Sequence, residues 1–172
     1  FKSGTYVLVV PGGGTGHPRA ADATAKFLAA ANTLADAGIL TVFVGPAPLP
    51  SAKLRCFDLL PQADLAQLMS GARLVVTNGG STLLQAVACG RASIAVPIAQ
   101  DQSQRIQRCV AAGVTMAAKL DAASIVRAAR ELLRDESACL ALGRRAADLG
   151  LADGIEIALA ALTRLLETIR EA

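Results

Sequence analysis

Residues 78–85 combine small residues, hydroxyls and two side-chain amides in the order Asn-Gly-Gly-Ser-Thr-Leu-Leu-Gln. Glycines let a backbone approach a ligand closely, and the free N–H groups in the first turn of a helix attract anions. Ser81 suits either a helix cap or a hydroxyl donor to a phosphate. Gln85 follows Ser81 by four residues and therefore shares its helix face. The segment predicts a diphosphate site with a ribose near Gln85.

The predicted ligands of this diphosphate are Asn78, Gly79, Gly80, Ser81 and Thr82. A glycine turn with a serine cap and no ligand is the alternative. A second polar pair, Asp101-Gln102, follows the apolar run that ends at Pro97. A carboxylate beside an amide suits the hydroxyls of a sugar, and the alternative is that Asp101 caps a helix beginning at Ser103.

A third candidate is the glycine-rich loop from Gly12 to His17. It lacks the Lys-Ser/Thr of a phosphate-binding P-loop, and His17 stands where a dinucleotide fingerprint needs its third glycine. We expect Gly14 and Thr15 to contact a ligand, with a plain tight turn as the alternative. His17 is the only histidine, and on this loop it could donate a hydrogen bond to phosphate or act as a general base, with a structural or surface histidine as the alternative.

The elements that must position these residues alternate between apolar strands and helices along the whole chain. Strands are predicted at 6–10, 39–44, 54–60, 73–77, 92–97 and 114–117, and helices at 18–37, 61–71, 81–89, 103–112, 122–134, 137–149 and 155–170. This order predicts a single α/β domain over residues 1–172, Rossmann-like and three-layered, with a parallel sheet of about six strands and C-terminal helices. All three candidate loops then lie at the carboxyl edge of the sheet, where ligands bind.

Composition excludes several classes of protein. With 53% hydrophobic and 18% charged residues, the chain is not disordered. Only 3% of residues are aromatic and the net charge is +3, so a nucleic-acid surface is not expected, although a weak attraction to an anionic membrane is compatible with this charge. The four cysteines are scattered and are interpreted as reduced core residues. No signal peptide or membrane-spanning run is evident, which favours the cytoplasm.

The run from Val75 to Gly113, VVTNGGSTLLQAVACGRASIAVPIAQDQSQRIQRCVAAG, resembles the donor-binding motif of GT-B glycosyltransferases. The most similar types are the bacterial lipid-II N-acetylglucosaminyltransferases and the plant and antibiotic UDP- or dTDP-sugar transferases. The resemblance covers most of the chain, but only as the C-terminal half of a two-domain enzyme. It implies transfer of a hexosyl group from a nucleoside diphosphate sugar to an acceptor.

Site roles follow from the same resemblance. Residues 79–82 would bind the diphosphate, Asp101 and Gln102 the sugar, and the loops at 44–46 and 59–60 the base. Asn78 stands where many members have a phosphate-contacting His, and Gln85 where most have a ribose-binding Glu. No clustered Asp pair of the metal-binding kind is present in the sequence, so we expect a reaction without a metal or another cofactor. In the family the general base usually comes from the N-terminal, acceptor-binding half. This chain alone is therefore expected to bind nucleotide sugars with little turnover.

Three other functional interpretations stay open. The first is a hydrolase or epimerase of nucleotide sugars in which His17 or Asp101 does acid–base work. The second is a binding module without catalysis, which the Gln at position 85 favours. The third is a split enzyme whose partner subunit supplies the acceptor half, for which an exposed apolar face on the C-terminal helices is the expected sign.

Overall fold

The computed structural model describes residues 1–12, 20–46, 50–151 and 154–170. Its strands are β1 (Val7–Val10), β2 (Thr41–Val44), β3 (Leu54–Phe57), β4 (Leu74–Asn78), β5 (Ser93–Val96) and β6 (Met116–Ala117). Its helices are α1 (Ala20–Asp36), α2 (Gln62–Gly71), α3 (Ser81–Ala88), α4 (Gln100–Ala111), α5 (Ala122–Arg134), α6 (Glu136–Asp148) and α7 (Gly154–Arg170).

These strands form one parallel sheet in the order β3-β2-β1-β4-β5-β6. The sheet is buried on both faces, so its strands are continuous apolar runs such as the Val-Leu-Val-Val of β1. Strands β2 and β3 are added on one side of β1, and strands β4, β5 and β6 are then added on the other side. The connections diverge between β1 and β4, and a crevice opens there at the carboxyl edge.

Helices cover both faces of the sheet and make the three predicted layers. On one face, strand residues such as Val9 and Val76 pack against Phe27 and Leu34 of α1 and Ile125 of α5. On the other face, the alternate strand residues pack against α2, α3 and α4 in two smaller clusters; these residues include Leu8, Val42, Val75 and Ala95. Because successive side chains of a strand point to opposite faces, one apolar run serves both cores.

Two predicted elements differ from the structure by three residues at one end. β3 ends at Phe57 instead of residue 60. Helix α4 begins at Gln100, three residues before the predicted start at Ser103, after an extended Ala99. Asp101 and Gln102 therefore lie in the first turn of a helix and not in the loop before it. The predicted start of α1 near Pro18 lies outside the described residues.

Helix α7 differs from all the others because every side chain from 154 to 169 is exposed. Its large aliphatic side chains are 57% to 68% exposed, and they are Ile155, Ile157, Leu159, Leu162, Leu165, Leu166 and Ile169. No helix among the described residues is both long and apolar enough to span a membrane.

A candidate nucleotide-binding cleft

A cleft of about 680 Å³ lies at the carboxyl edge of the sheet, across the point where the strand order reverses. Its wall is built by the ends of β1, β2 and β4, the residues after β3, and the first turns of α1, α2 and α3. The residues that line it are Val10, Pro11, Gly12, Ala20, Ala21, Thr24, Val44, Gly45, Pro46, Asp58, Leu59, Leu60, Gln62, Leu65, Asn78, Gly80, Ser81, Thr82 and Gln85. The described residues predicted to meet the diphosphate, the ribose and the base, apart from Gly79, thus line one cavity.

The turn from β4 into α3 is held by Asn78, which is only 5% exposed. Its Oδ1 accepts a hydrogen bond of 2.8 Å from the N–H of Gly80. Gly80 precedes the helix in an extended conformation, and no side chain caps it. Ser81 is therefore the first helical residue, so the prediction that it caps α3 is wrong. Its side chain is exposed and lines the cleft.

The N–H groups of Ser81 and Thr82 open helix α3 and have no acceptor inside it, as helix geometry requires. The positive end of the helix dipole lies at the same point. Both residues line the cleft and add a hydroxyl each. Two amides and two hydroxyls at a helix N-terminus can hold a phosphate group.

Gly79 occupies a different environment from its neighbours. It is buried and is not among the residues that line the cleft. Its N–H donates to Gln102 Oε1 at 3.1 Å, and its carbonyl accepts from Arg105 Nη1 at 2.7 Å. A Cβ at this position would lie 2.6 Å from Ile106 Cδ1. The N–H of Gly79 is thus bonded to α4, and the N–H of Gly80 is bonded to Asn78. Contact between these two residues and a diphosphate stays a prediction.

Gln102 joins the two loops that follow β4 and β5. Its side chain is 8% exposed, and Oε1 accepts from the N–H of Gly79 and from the N–H of Ile98, each at 3.1 Å. This carbonyl oxygen is therefore already bonded within the protein, and contact between Gln102 and a sugar stays a prediction. The sequence signal for this role is the spacing of Gln102, Ile106 and Cys109, which form the buried face of α4.

Asp101 is exposed in the first turn of α4, where a carboxylate favours the helix dipole. It is not the N-cap, because Ala99 holds that position, so the alternative capping interpretation is wrong as well. It does not line the cleft. Contact between Asp101 and a sugar stays a prediction.

Gln85 lines the cleft one helical turn after Ser81, as the spacing predicts. Its Nε2 donates to Oε1 of Gln62, the first residue of α2, at 3.3 Å. Gln62 also lines the cleft and was not predicted as a site residue. The helical spacing of Leu65 and Leu68 predicts that Gln62 lies at the start of α2. Its contact with Gln85 of α3 depends on the fold and is not predictable from that spacing.

The far wall of the cleft is apolar and consists of the residues predicted to receive the base. They are Val44, Gly45, Pro46, Leu59 and Leu60. Leu59 is 89% exposed, which is unusual for a leucine. An apolar side chain held open beside an anion site suits the flat face of a base.

Gly12 closes the cleft beside Asn78 and adopts a φ of +84°. A Cβ at this position would lie 2.3 Å from Asn78 Nδ2, so both the conformation and the contact require glycine. The other predicted residues of this loop, Gly14, Thr15 and His17, lie outside the described residues. Their roles stay predictions.

The charges of the cleft are sparse. Among the described residues that line it, Asp58 alone carries a formal charge. No group of three or more His, Cys, Asp or Glu side chains that could hold a metal ion is found in the described ranges. Anion binding in this cleft would therefore depend on amides and hydroxyls more than on cationic side chains.

The four cysteines lie outside the cleft and are free, and burial raises the pKa of the thiols of Cys56, Cys109 and Cys139.

Three solved structures show what this fold resembles. The rhamnosyltransferase SpnG of spinosyn, complexed with thymidine diphosphate, matches with a TM-score of 0.69 and 21% identity over 96% of this chain and 46% of that chain. A Listeria monocytogenes protein assigned as a UDP-N-acetylglucosamine 2-epimerase matches with a TM-score of 0.67 and 16% identity over 95% of this chain and 46% of that chain. Acinetobacter baumannii MurG matches with a TM-score of 0.60 and 17% identity over 84% of this chain and 45% of that chain.

No protein-family model and no curated protein matches the chain. The structural likeness confirms the predicted Rossmann-like fold and its resemblance to one half of the GT-B glycosyltransferases and related epimerases. The chain spans less than half the length of each of these three structures.

Proposed function

We propose that this chain binds the donor of a glycosyltransferase that moves a hexosyl group from a nucleoside diphosphate sugar, UDP- or dTDP-linked, to an acceptor. The observation that carries the proposal is the layout of the cleft. An anion site at Ser81 and Thr82, a side-chain amide at Gln85 and an apolar wall at Leu59 and Leu60 lie along one cavity of about 680 Å³. A nucleotide carries a phosphate, a sugar and a base, and the cleft offers a chemically suitable group for each.

The chemistry of sugar transfer fits this layout. When the glycosidic bond breaks, negative charge develops on the departing nucleoside diphosphate. The amides of Ser81 and Thr82 are already oriented by helix α3, and Asn78 fixes the turn before them. Preorganised donors at a helix N-terminus stabilise such charge without reorganisation at the moment of reaction.

A second protein segment would complete the enzyme. The structures with this fold are more than twice as long as this chain, and α7 exposes an aliphatic surface that the domain itself does not cover. Both observations support an acceptor-binding domain or partner subunit that supplies the general base. Such an enzyme would work in the cytoplasm, and the chain alone would bind donors with little turnover.

Isothermal titration calorimetry with UDP, dTDP and GDP tests the proposal. We expect saturable binding of at least one nucleotide, and no binding at millimolar concentration would overturn it. Ser81→Asp places a carboxylate in the anion site while favouring the helix dipole, and we expect it to weaken binding by about tenfold or more. Ser103→Asp is the matched control, because Ser103 lies in the first turn of α4 and outside the cleft.

A second candidate is epimerisation or hydrolysis of a nucleotide sugar. The likeness to the Listeria monocytogenes protein favours it as strongly as a fold comparison can. His17 and Asp101 would then supply acid–base chemistry. Release of free nucleotide from a UDP-sugar without any acceptor, abolished in His17→Ala, would favour this candidate over transfer.

A further inference from the structure

Two arginines lie side by side at the amino edge of the sheet, opposite the candidate nucleotide-binding cleft. Arg73 comes directly before β4, Arg91 stands two residues before β5, and these strands are parallel neighbours. Val75 pairs with Ser93, and each arginine precedes its member of this pair by two positions. Both side chains therefore leave the backbone at the same level of the sheet. Positive charges at neighbouring positions repel each other, and an anion between them removes the repulsion.

A pocket of about 380 Å³ lies beside these two arginines, and helix α6 forms its other wall. Glu136, Leu140 and Arg144 line it, and their spacing of four residues places them on one face of α6. Three arginines and one carboxylate give the pocket a net charge of +2. Among the described residues the one ion pair joins Lys26 to Asp22, so Glu136 forms no salt bridge with any of the three arginines.

The guanidinium group of Arg91 contains a donor that the protein does not satisfy. Its Nε is buried and has no hydrogen-bond partner. Buried N–H donors are almost always paired, because an unpaired donor destabilises the folded state. Arg73 differs, since its Nη2 donates to the carbonyl of Leu133 at 3.0 Å, which orients its guanidinium group. An oxyanion that accepts from Nε and one Nη of Arg91 would satisfy this donor and reduce the repulsion between the two arginines.

We propose that this pocket is a second anion site, which binds a phosphate group through Arg73, Arg91 and Arg144. A phosphate dianion matches the net charge of +2, and its oxygens can accept paired hydrogen bonds from a guanidinium fork. Leu140 offers an apolar surface to the rest of a phosphate monoester. The pocket shares no lining residue with the cleft, so binding there does not depend on the proposed function.

A titration of the isotope-labelled chain with inorganic phosphate, followed by amide NMR, tests this site. We expect saturable shifts at the amides of Gly4, Gly90 and Gly143, which line the pocket, with half-saturation at about 1 mM. Potassium chloride at equal ionic strength is the control for screening. Shifts that do not saturate, or that potassium chloride reproduces, overturn the proposal.

The amides of Ser81 and Thr82 report separately on the cleft in the same spectra. Saturable shifts at these two amides alone would overturn the second site and would support the proposed function. Shifts at the pocket alone would support the second site whatever the cleft binds.

Phenyl phosphate distinguishes the two sources of a phosphate group. Contact between its ring and Leu140 should tighten binding by about threefold or more relative to inorganic phosphate if the ligand is a phosphate monoester. Equal affinities would assign the site to the free phosphate ion. Both results support the anion site.

Substitutions of two arginines test the groups that bind. Arg144→Gln removes one exposed charge from α6, and we expect it to weaken phosphate binding by about threefold or more. Arg145→Gln is the matched control, because Arg145 is its exposed neighbour on α6 and does not line the pocket. Arg91→Lys keeps the charge and loses Nε with the planar fork, so we expect binding to weaken by about tenfold.

Melting temperatures of the three variants separate loss of binding from loss of folding. Arg144→Gln and Arg145→Gln replace exposed side chains and should unfold at the wild-type temperature. Arg144→Gln therefore keeps the site testable even if Arg91→Lys unfolds. Wild-type phosphate affinity in a folded Arg144→Gln or Arg91→Lys variant would contradict the assignment.

Discussion

The Oε1 atom of Gln102 accepts a hydrogen bond of 3.1 Å from the N–H of Gly79 and thereby ties helix α4 to the turn that opens helix α3. The same oxygen accepts from the N–H of Ile98 at 3.1 Å. One buried carbonyl thus satisfies two buried backbone donors from different loops. The position of Ser81, where we propose the anion site, depends on a side chain that does not itself line the cleft.

Replacing Gln102 by Ala should destabilise the fold. The substitution leaves the N–H groups of Gly79 and Ile98 without their acceptor, and an unsatisfied buried donor costs about 1–3 kcal/mol. We expect the free energy of unfolding in urea to fall by about 2–4 kcal/mol. Gln104→Ala, at an exposed position of the same helix, should change it by less than about 0.5 kcal/mol. Equal stabilities of the two variants would show that the loops hold their positions without Gln102.

Gly12→Ala should harm both stability and nucleotide binding. Gly12 has a φ of +84°, and an added Cβ would meet Asn78 Nδ2 at 2.3 Å. Gly4 provides a matched control, because its φ is +75° and nothing lies within 4 Å of the equivalent Cβ. Gly4→Ala therefore carries only the conformational cost of about 1 kcal/mol, and Gly12→Ala adds the displacement of Asn78.

Thermal unfolding and calorimetry with UDP distinguish the two glycine variants. We expect Gly12→Ala to lower the melting temperature by several degrees more than Gly4→Ala, at about 2–4 °C for each kcal/mol in a chain of this size. Binding should weaken only in Gly12→Ala. If both variants lose the same stability and bind equally, the contact with Asn78 has no role in shaping the cleft.

Local patterns in the sequence predict most of the fold. Apolar runs such as Val7–Val10 identify buried parallel strands, and the alternation with helices implies the sheet. Strand order and register come from long-range packing that no short segment encodes. The late start predicted for α4 has the same origin, since Ala99 and Gln100 carry no strong cap signal and the helix is secured by Gln102.

The sequence predicts those features of the candidate site that depend on neighbouring residues of one helix. It does not predict hydrogen bonds between residues that are far apart in the sequence. Ser81 and Gln85 share a helix face because of their spacing, and the structure places both in the cleft. Two hydrogen bonds of the site join such distant residues, one between Gln102 and Gly79 and one between Gln85 and Gln62. In each pair the two residues lie 23 positions apart in the sequence. Residue types that suit a sugar equally suit such internal bonds, so only the fold decides between them.

The stability of the domain should fall as the pH rises above 9. Burial raises the pKa of Cys109 and Cys139 from an ordinary 9.0, so the folded state keeps both thiols protonated where the unfolded chain releases its protons. The unfolded state then binds fewer protons, and the free energy of unfolding decreases by up to about 1.4 kcal/mol per pH unit for each thiol. Well below pH 9 both thiols stay protonated in the folded and the unfolded state, so neither contributes a slope there.

Urea unfolding between pH 7 and pH 10 measures this dependence. We expect a flat profile up to about pH 8.5 and a decline above it. In the double variant Cys109→Ala and Cys139→Ala the decline should be shallower, although the variant is less stable at every pH because buried side chains have been shortened. An unchanged slope in the double variant would assign the decline to other groups, first to Cys56 and then to Tyr6, because burial raises the pKa of both side chains.

The aliphatic surface of α7 should be dispensable for the stability of this domain. Leu162 and Leu166 are 57% and 61% exposed, so replacing both by Gln removes little buried apolar surface. We expect the free energy of unfolding in urea to stay within about 0.5 kcal/mol of wild type, whereas Leu132→Ala in the core of α5 should cost about 2–5 kcal/mol. The fluorescence of a hydrophobic dye bound to the native chain should fall in the double variant, because a contiguous exposed apolar patch attracts such dyes. A large loss of stability in Leu162→Gln with Leu166→Gln would mean that α7 packs on the domain in solution, and the surface proposed for an acceptor domain would then be an internal one.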